Sequence, residues 1–184
     1  MVLFINACVR RESRTRRLAQ QLLHRMGEPA TVVRLSEILF PVADENFLMA
    51  RDALVSQGAF SHGLFDMARQ FAEAERIVIA SPYWDLSFPA ALKQYFEQIN
   101  VPGITFRYTN EGVPEGLCCA KQLFYVTTAG GTFCPEEYGF GYIKALAQQF
   151  YGIPDVRMIR AVGLDMEGAD EEQILREAMD GFKL

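Results

Sequence analysis

The chain has 184 residues, of which 50% are hydrophobic and 22% charged; 18 Lys+Arg against 23 Asp+Glu leave a formal net charge of −5. Such values exclude disorder, collagen and coiled coil as the main state and fit one folded domain spanning residues 1–184. An acidic excess also argues against a nucleic-acid partner, which would draw a basic domain.

Residues 2–7 form a short apolar run, predicted as a buried strand. Residues 13–26 carry Leu18, Ala19, Leu22 and Leu23 at helical spacing. A second strand is predicted over 31–35, whereas 40–58 fits neither period. Residues 62–74 read as a helix with Leu64, Phe65, Ala68 and Phe71 on one face. Residues 76–80 form a third strand, stopped by Ser81-Pro82. The next helix covers 88–99, with Pro89 tolerated in its first turn. Residues 104–109 suit a short extended excursion. A fourth strand over 121–127 ends at Ala129-Gly130-Gly131; a helix over 138–151, a fifth strand over 156–162 and a closing helix over 170–182 complete the chain.

Strand runs that are nearly continuous in apolar residues suit strands buried on both faces. The predicted class is therefore α/β, a parallel sheet with helices on each side. Such sheets bind ligands outside the carboxyl ends of their strands, near the switch in strand order. The loops after the first, third and fourth strands are the ones to inspect.

The first loop, Cys8-Val9-Arg10-Arg11-Glu12-Ser13-Arg14-Thr15-Arg16-Arg17, is half arginine. Arginines in the first helical turn oppose the helix dipole unless an anion sits there. Backbone N–H groups with the Ser13 and Thr15 hydroxyls suit a phosphate; Ser13 equally suits an ordinary N-cap beside solvated arginines. The second loop sets Pro82, Tyr83, the lone Trp84, Asp85 and Leu86 just past the third strand. Its aromatics suit a planar ligand, or a cover for the sheet edge. The third loop, Thr128-Ala129-Gly130-Gly131, allows close backbone approach to a ligand, or simply turns. The coincidence of all three at one end of the sheet favours a binding site.

Cys8, Cys118, Cys119 and Cys134 show no CxxC spacing, and His24 and His62 lie far apart, so no metal site is predicted. No apolar run approaches the ~18 residues of a membrane span. Met1 to Ile5 lacks the basic leader of a signal peptide, and the expected location is cytoplasmic.

The order and spacing of Ser81-Pro82-Tyr83-Trp84-Asp85-Leu86-Ser87-Phe88-Pro89-Ala90-Ala91-Leu92-Lys93-Gln94-Tyr95-Phe96, Gly103-Ile104-Thr105-Phe106-Arg107-Tyr108, Pro114-Glu115-Gly116-Leu117, Lys121 and Thr127-Thr128-Ala129-Gly130-Gly131 are specific. They resemble the flavodoxin-like NAD(P)H-quinone oxidoreductases and FMN-dependent NADH-azoreductases. The resemblance covers nearly the whole chain and is weakest over 40–58. It implies a flavodoxin-like three-layer sandwich with a five-stranded parallel sheet in the order 2-1-3-4-5. It also implies FMN rather than FAD, NAD(P)H as co-substrate, a quinone or azo acceptor, and a homodimer whose subunits share each site. Ser13, Arg14 and Thr15, with Cys8 and Arg10 beside them, fall at the family's phosphate position. Pro82, Tyr83, Trp84, Asp85 and Leu86 fall along one edge of the isoalloxazine, and Thr128, Ala129, Gly130 and Gly131 along another. Tyr138 matches a tyrosine near the flavin and is the candidate donor to the acceptor. Phe106 and Tyr108 are candidate contacts from the partner subunit's side.

Two departures stand out. Cys8-Val9-Arg10 stands where the family often has Ser-Pro-Arg or a histidine, and Asp85 where its azoreductases often have Asn. A carboxylate facing the ring would disfavour an anionic reduced flavin, so Asp85 is expected to present its backbone N–H. Two alternatives remain. Cys8 to Thr15 also fits C-x5-R-[ST], the phosphate loop of low-molecular-weight protein tyrosine phosphatases, where a thiolate attacks phosphorus. That loop is normally built of small residues, and this one is bulky and charged. A non-enzymatic flavin electron carrier would use the same fold.

Overall fold

The computed structural model describes residues 1–184. In chain order it contains β1 (Val2–Asn6), α1 (Arg14–Met26), β2 (Ala30–Arg34), α2 (Glu45–Ser56), α3 (Asp66–Glu73), β3 (Arg76–Ala80) and α4 (Ala90–Ile99). Then follow β4 (Phe106–Tyr108), β5 (Pro114–Gly116), β6 (Gln122–Thr128), α5 (Phe140–Ala145), β7 (Asp155–Ala161) and α6 (Glu171–Asp180).

Side-chain alternation along the central strands builds two cores. Leu3, Ile5, Ile77, Ile79, Leu123 and Tyr125 point to one face of the sheet, where Phe71 of α3, Tyr95 and Phe96 of α4 and Ile143 of α5 meet them. Val2, Phe4, Val78, Ala80, Phe124 and Val126 point to the other, covered by Leu18 and Leu22 of α1 and by Leu175 and Met179 of α6. Each such buried aliphatic contributes about 1.5–3 kcal/mol of transfer free energy. The sheet is wholly parallel in the order β2-β1-β3-β6-β7, the order expected for the five main strands. The three-layer arrangement leaves the carboxyl ends of β1, β3 and β6 side by side.

Three local features differ from the expectations. Residues 40–58 contain α2, which has no fully buried residue and touches the core only through the half-buried Leu54 and Val55. The expected excursion at 104–109 is strand β4, paired antiparallel with β5 in a separate hairpin. The helix expected over 138–151 begins at Phe140 and finishes in a π-helical turn, Leu146–Phe150. Phe106 is corrected as a partner-side contact. It is 4% exposed and packs its ring 4.9 Å from that of Phe150, so it belongs to this chain's own core. Tyr108, 55% exposed, remains at the surface.

Candidate functional site

Loops from the carboxyl ends of three strands enclose a pocket of ≈ 250 Å³. Cys8, Arg10, Ser13, Arg14 and Thr15 line it from the first loop, Pro82, Tyr83 and Trp84 from the second, and Thr128 and Gly130 from the third. Val9, Glu12 and Asp165, which sequence reasoning did not single out, complete the wall.

The first loop leaves β1 in a tight bend, in which the Asn6 side-chain oxygen accepts from the Cys8 N–H at 3.0 Å. Ser13 caps α1, its Oγ accepting from the Arg16 N–H at 3.2 Å. Every backbone N–H from Val9 to Thr15 lacks a backbone acceptor. The first turn of α1 holds no acidic residue. Unpaired N–H groups at the positive end of a helix dipole make an anion cradle. The buried Thr15 and Thr128 hydroxyls meet at 2.6 Å and tie the first loop to the third. Loss of either hydroxyl would strand the other, a cost of about 1–3 kcal/mol.

In the second loop, the Ser81 and Tyr83 N–H groups donate to the Val126 and Thr128 carbonyls at 2.9 and 3.1 Å, extending the sheet pairing. Trp84 and Ser87 then exchange two backbone hydrogen bonds of 3.1 and 2.7 Å. The two residues between them, Asp85 (φ 50°) and Leu86 (φ 69°), are the only non-glycine residues at positive φ. A turn of this kind normally takes Asn-Gly; a leucine there costs about 1–2 kcal/mol. Backbone strain of this kind gathers at working sites. Asp85 and Leu86 sit on the pocket's rim rather than in its wall, and their N–H groups have no backbone acceptor. The Tyr83 hydroxyl is buried without a partner, and desolvation pushes its phenol up.

The third loop is zipped to the segment after β7. Asp165 and Gly163 N–H groups donate to the Gly130 and Gly131 carbonyls at 2.9 and 3.0 Å, and Leu164 to Ala129 at 3.3 Å. A Cβ on Gly130 would collide with the Asp165 carboxylate. The room left by Gly130 is thus taken by Asp165. Ala129 is buried beneath, and Gly131 lies outside the pocket. Arg14 donates to Asp165 Oδ1 at 2.6 Å and to the Leu164 carbonyl at 3.2 Å. The hydrogen bond from Arg14 holds the Asp165 carboxyl below the usual range, and the Arg10 charge adds to it.

Cys8 is 3% exposed, with Sγ 3.8 Å from the Ala80 carbonyl. Burial pushes its thiol up, outweighing the lowering by Ser13 and Arg16. A phosphatase nucleophile needs the reverse, so the geometry gives that alternative no support. Tyr138 lies outside the pocket, 61% exposed, with its carbonyl accepting from Ser87 Oγ at 2.8 Å beside the strained turn. No helix is long and apolar enough to cross a membrane.

The family described as having a flavodoxin-like fold matches residues 1–183. The FMN-dependent NADH:quinone oxidoreductase of Clostridium beijerinckii is 41% identical over 125 residues, 67% of this chain and 62% of the relative. The FMN-dependent NADH:quinone oxidoreductase 2 of Clostridium acetobutylicum is 43% identical over 127 residues, 66% of this chain and 62% of the relative. The match therefore spans less than two thirds of either relative's length. Among solved structures, an azoreductase from Bacillus anthracis superposes with a TM-score of 0.81 at 22% identity, covering 98% of this chain and 95% of that one. At that identity the likeness speaks for the fold.

Proposed function

The chain belongs to the family of flavodoxin-like fold, and from that premise we propose that it is an FMN-dependent NAD(P)H oxidoreductase reducing a quinone, azo or similar flat acceptor. One observation carries the reading: an anion cradle, the free N–H groups from Val9 to Thr15, shares a pocket with an aromatic loop. That pairing suits a ligand with a phosphate at one end and a flat ring at the other. One cradle suits FMN better than the diphosphate of FAD. Two relatives bear FMN-dependent NADH:quinone oxidoreductase names, which favours the same chemistry.

FMN, when bound here, would supply the redox chemistry, two-electron exchange between NAD(P)H and the acceptor. The first loop and the Ser13 and Thr15 hydroxyls would hold its phosphate. Tyr83 and Trp84 would pack on the ring, with Pro82 stiffening their loop. The free N–H groups of Asp85 and Leu86 would donate to the ring edge, leaving the Asp85 carboxylate in solvent. Thr128 and Ala129 would close the far edge. Tyr138, on the rim beside Ser87, is assigned to the acceptor as a hydrogen-bond donor. Tyr138→Phe is expected to bind flavin as the parent does and to lower acceptor turnover by about tenfold. Unchanged steady-state turnover would remove Tyr138 from the mechanism.

We also assign the working form to a cytoplasmic homodimer. Four unpaired thiols suit a reducing compartment. Leu39, Val42, Leu48 and Met49 expose an apolar surface at and before α2, of the kind that marks an interface. The purified protein, mixed with FMN and desalted, is expected to keep a visible flavin spectrum that NADH or NADPH bleaches and a quinone restores. On a sizing column with light scattering, the flavin is expected to travel at about twice the 20.8 kDa chain mass. Absence of retained flavin would overturn the reading. Retained flavin inert to both nicotinamides would leave only an electron carrier, and a 20.8 kDa species would remove the dimer.

A further inference from the structure

We propose that Asp165 is a specificity-determining residue of this pocket, competing with the flavin phosphate for Arg14. The inference rests on the FMN reading and concerns how tightly the phosphate is held. Arg14 is one of two arginines that line the pocket, with Arg10, and its charge is already paired. Asp165 Oδ1 lies 2.6 Å from it, the Leu164 carbonyl 3.2 Å and Glu171 Oε2 3.8 Å. A phosphate arriving at the cradle meets a neutralised guanidinium and a carboxylate of its own sign.

This carboxylate is held in place although its side chain is 65% exposed. Its backbone is fixed to Gly130 by a 2.9 Å hydrogen bond, and Leu164 is anchored to Ala129. Gly130 has the space above it filled by that carboxylate, space that any side chain there would deny. Arg10 and Glu12 are the other charged groups on the same wall, one of each sign; the Arg10 charge helps keep Asp165 ionised and so sustains its competition for Arg14. Asp165 would thus act on the phosphate end of a bound flavin and not on its ring, which Tyr83 and Trp84 on the second loop would hold.

The test is fluorescence titration with FMN and with riboflavin, which lacks the phosphate, on the full chain and on Asp165→Asn. Asp165→Asn is expected to tighten FMN about fivefold, the size of one exposed charge interaction, and to leave riboflavin unchanged. Arg14→Gln should then cost more FMN affinity in the Asp165→Asn background than alone, because the freed guanidinium binds phosphate. Asp165→Ser, which also removes the charge, guards against a folding defect peculiar to the amide and should shift the FMN-to-riboflavin ratio in the same direction. An unmoved ratio in both variants, or weaker FMN binding with riboflavin unchanged, overturns the inference while FMN binding by the parent keeps the functional reading. A parent that binds neither flavin brings down both.

Discussion

Gly116→Ala is expected to destabilise the protein by about 3 kcal/mol or more, the largest single loss we anticipate from removing no contact at all. Gly116 ends β5, and a Cβ there would overlap the backbone of Tyr151 and Gly152. Backbone cannot rotate aside as a side chain can. Gly152, at φ 72°, would bring its own Cβ to 3.3 Å from Gly116 Cα, so the approach is tight from both sides. Here the β4–β5 hairpin docks on the π-helical turn after α5, and the ring of Phe106 meets that of Phe150. An added methyl must lift the hairpin and open that contact. Gly112→Ala, at the hairpin's tip, is the control. A Cβ at Gly112 meets nothing within 4 Å, and only its φ of 79° is strained, so its cost should stay near about 1 kcal/mol. Urea unfolding of both variants checks the contrast; a Gly116→Ala loss no larger than that of Gly112→Ala would contradict the close approach.

The same hairpin shows where reading the sequence reaches its limit. Pro114-Glu115-Gly116 has neither the length nor the alternation of a strand, and it pairs only because β4 and the turn after α5 hold it. Helix α2 was equally illegible over 40–58, since a helix that buries no residue leaves no apolar stripe to read. The central strands were legible because burial on both faces demands apolar side chains at every position, as in Val2-Leu3-Phe4-Ile5. Helix α1 was legible through Leu18 and Leu22 on one turn spacing.

The pocket's wall was legible for a related reason. Parallel strand order brings the ends of β1, β3 and β6 together, so ten of the expected residues meet there: Cys8, Arg10, Ser13, Arg14, Thr15, Pro82, Tyr83, Trp84, Thr128 and Gly130. Asp165 escaped because nothing local marks it. It reaches the pocket through backbone pairing with Gly130, and the only clue was positional: β7 lies beside β6, so the loop after β7 must border the third loop. Gly130 stands out in the sequence by a missing side chain, while the group that fills the gap comes from elsewhere in the chain.

At Leu86 two substitutions are expected to separate strain from function. Leu86 stands at φ 69° in the two-residue turn closed by Trp84 and Ser87. Leu86→Gly removes the left-handed penalty of about 1–2 kcal/mol but adds about 0.5–1 kcal/mol of unfolded-chain entropy. The net expectation is a gain of about 0.5 kcal/mol, with FMN affinity within about threefold of the parent because the turn keeps its shape. Leu86→Pro acts in the opposite sense. The proline ring fixes φ near −65°, opposite in sign to the turn, and biases Asp85 away from its own conformation. Both Trp84–Ser87 hydrogen bonds are then lost, Trp84 is no longer presented to the pocket, and the N–H at position 86 disappears. Under the proposed function FMN affinity should fall by about 100-fold, two lost hydrogen bonds and a displaced aromatic together. Thermal unfolding and FMN titration of the two variants resolve the matter. If Leu86→Pro folds and binds FMN as the parent does, the strained turn has no part in holding flavin. A Leu86→Gly protein less stable than the parent would mean that the leucine side chain contributes more by its contacts than its backbone costs.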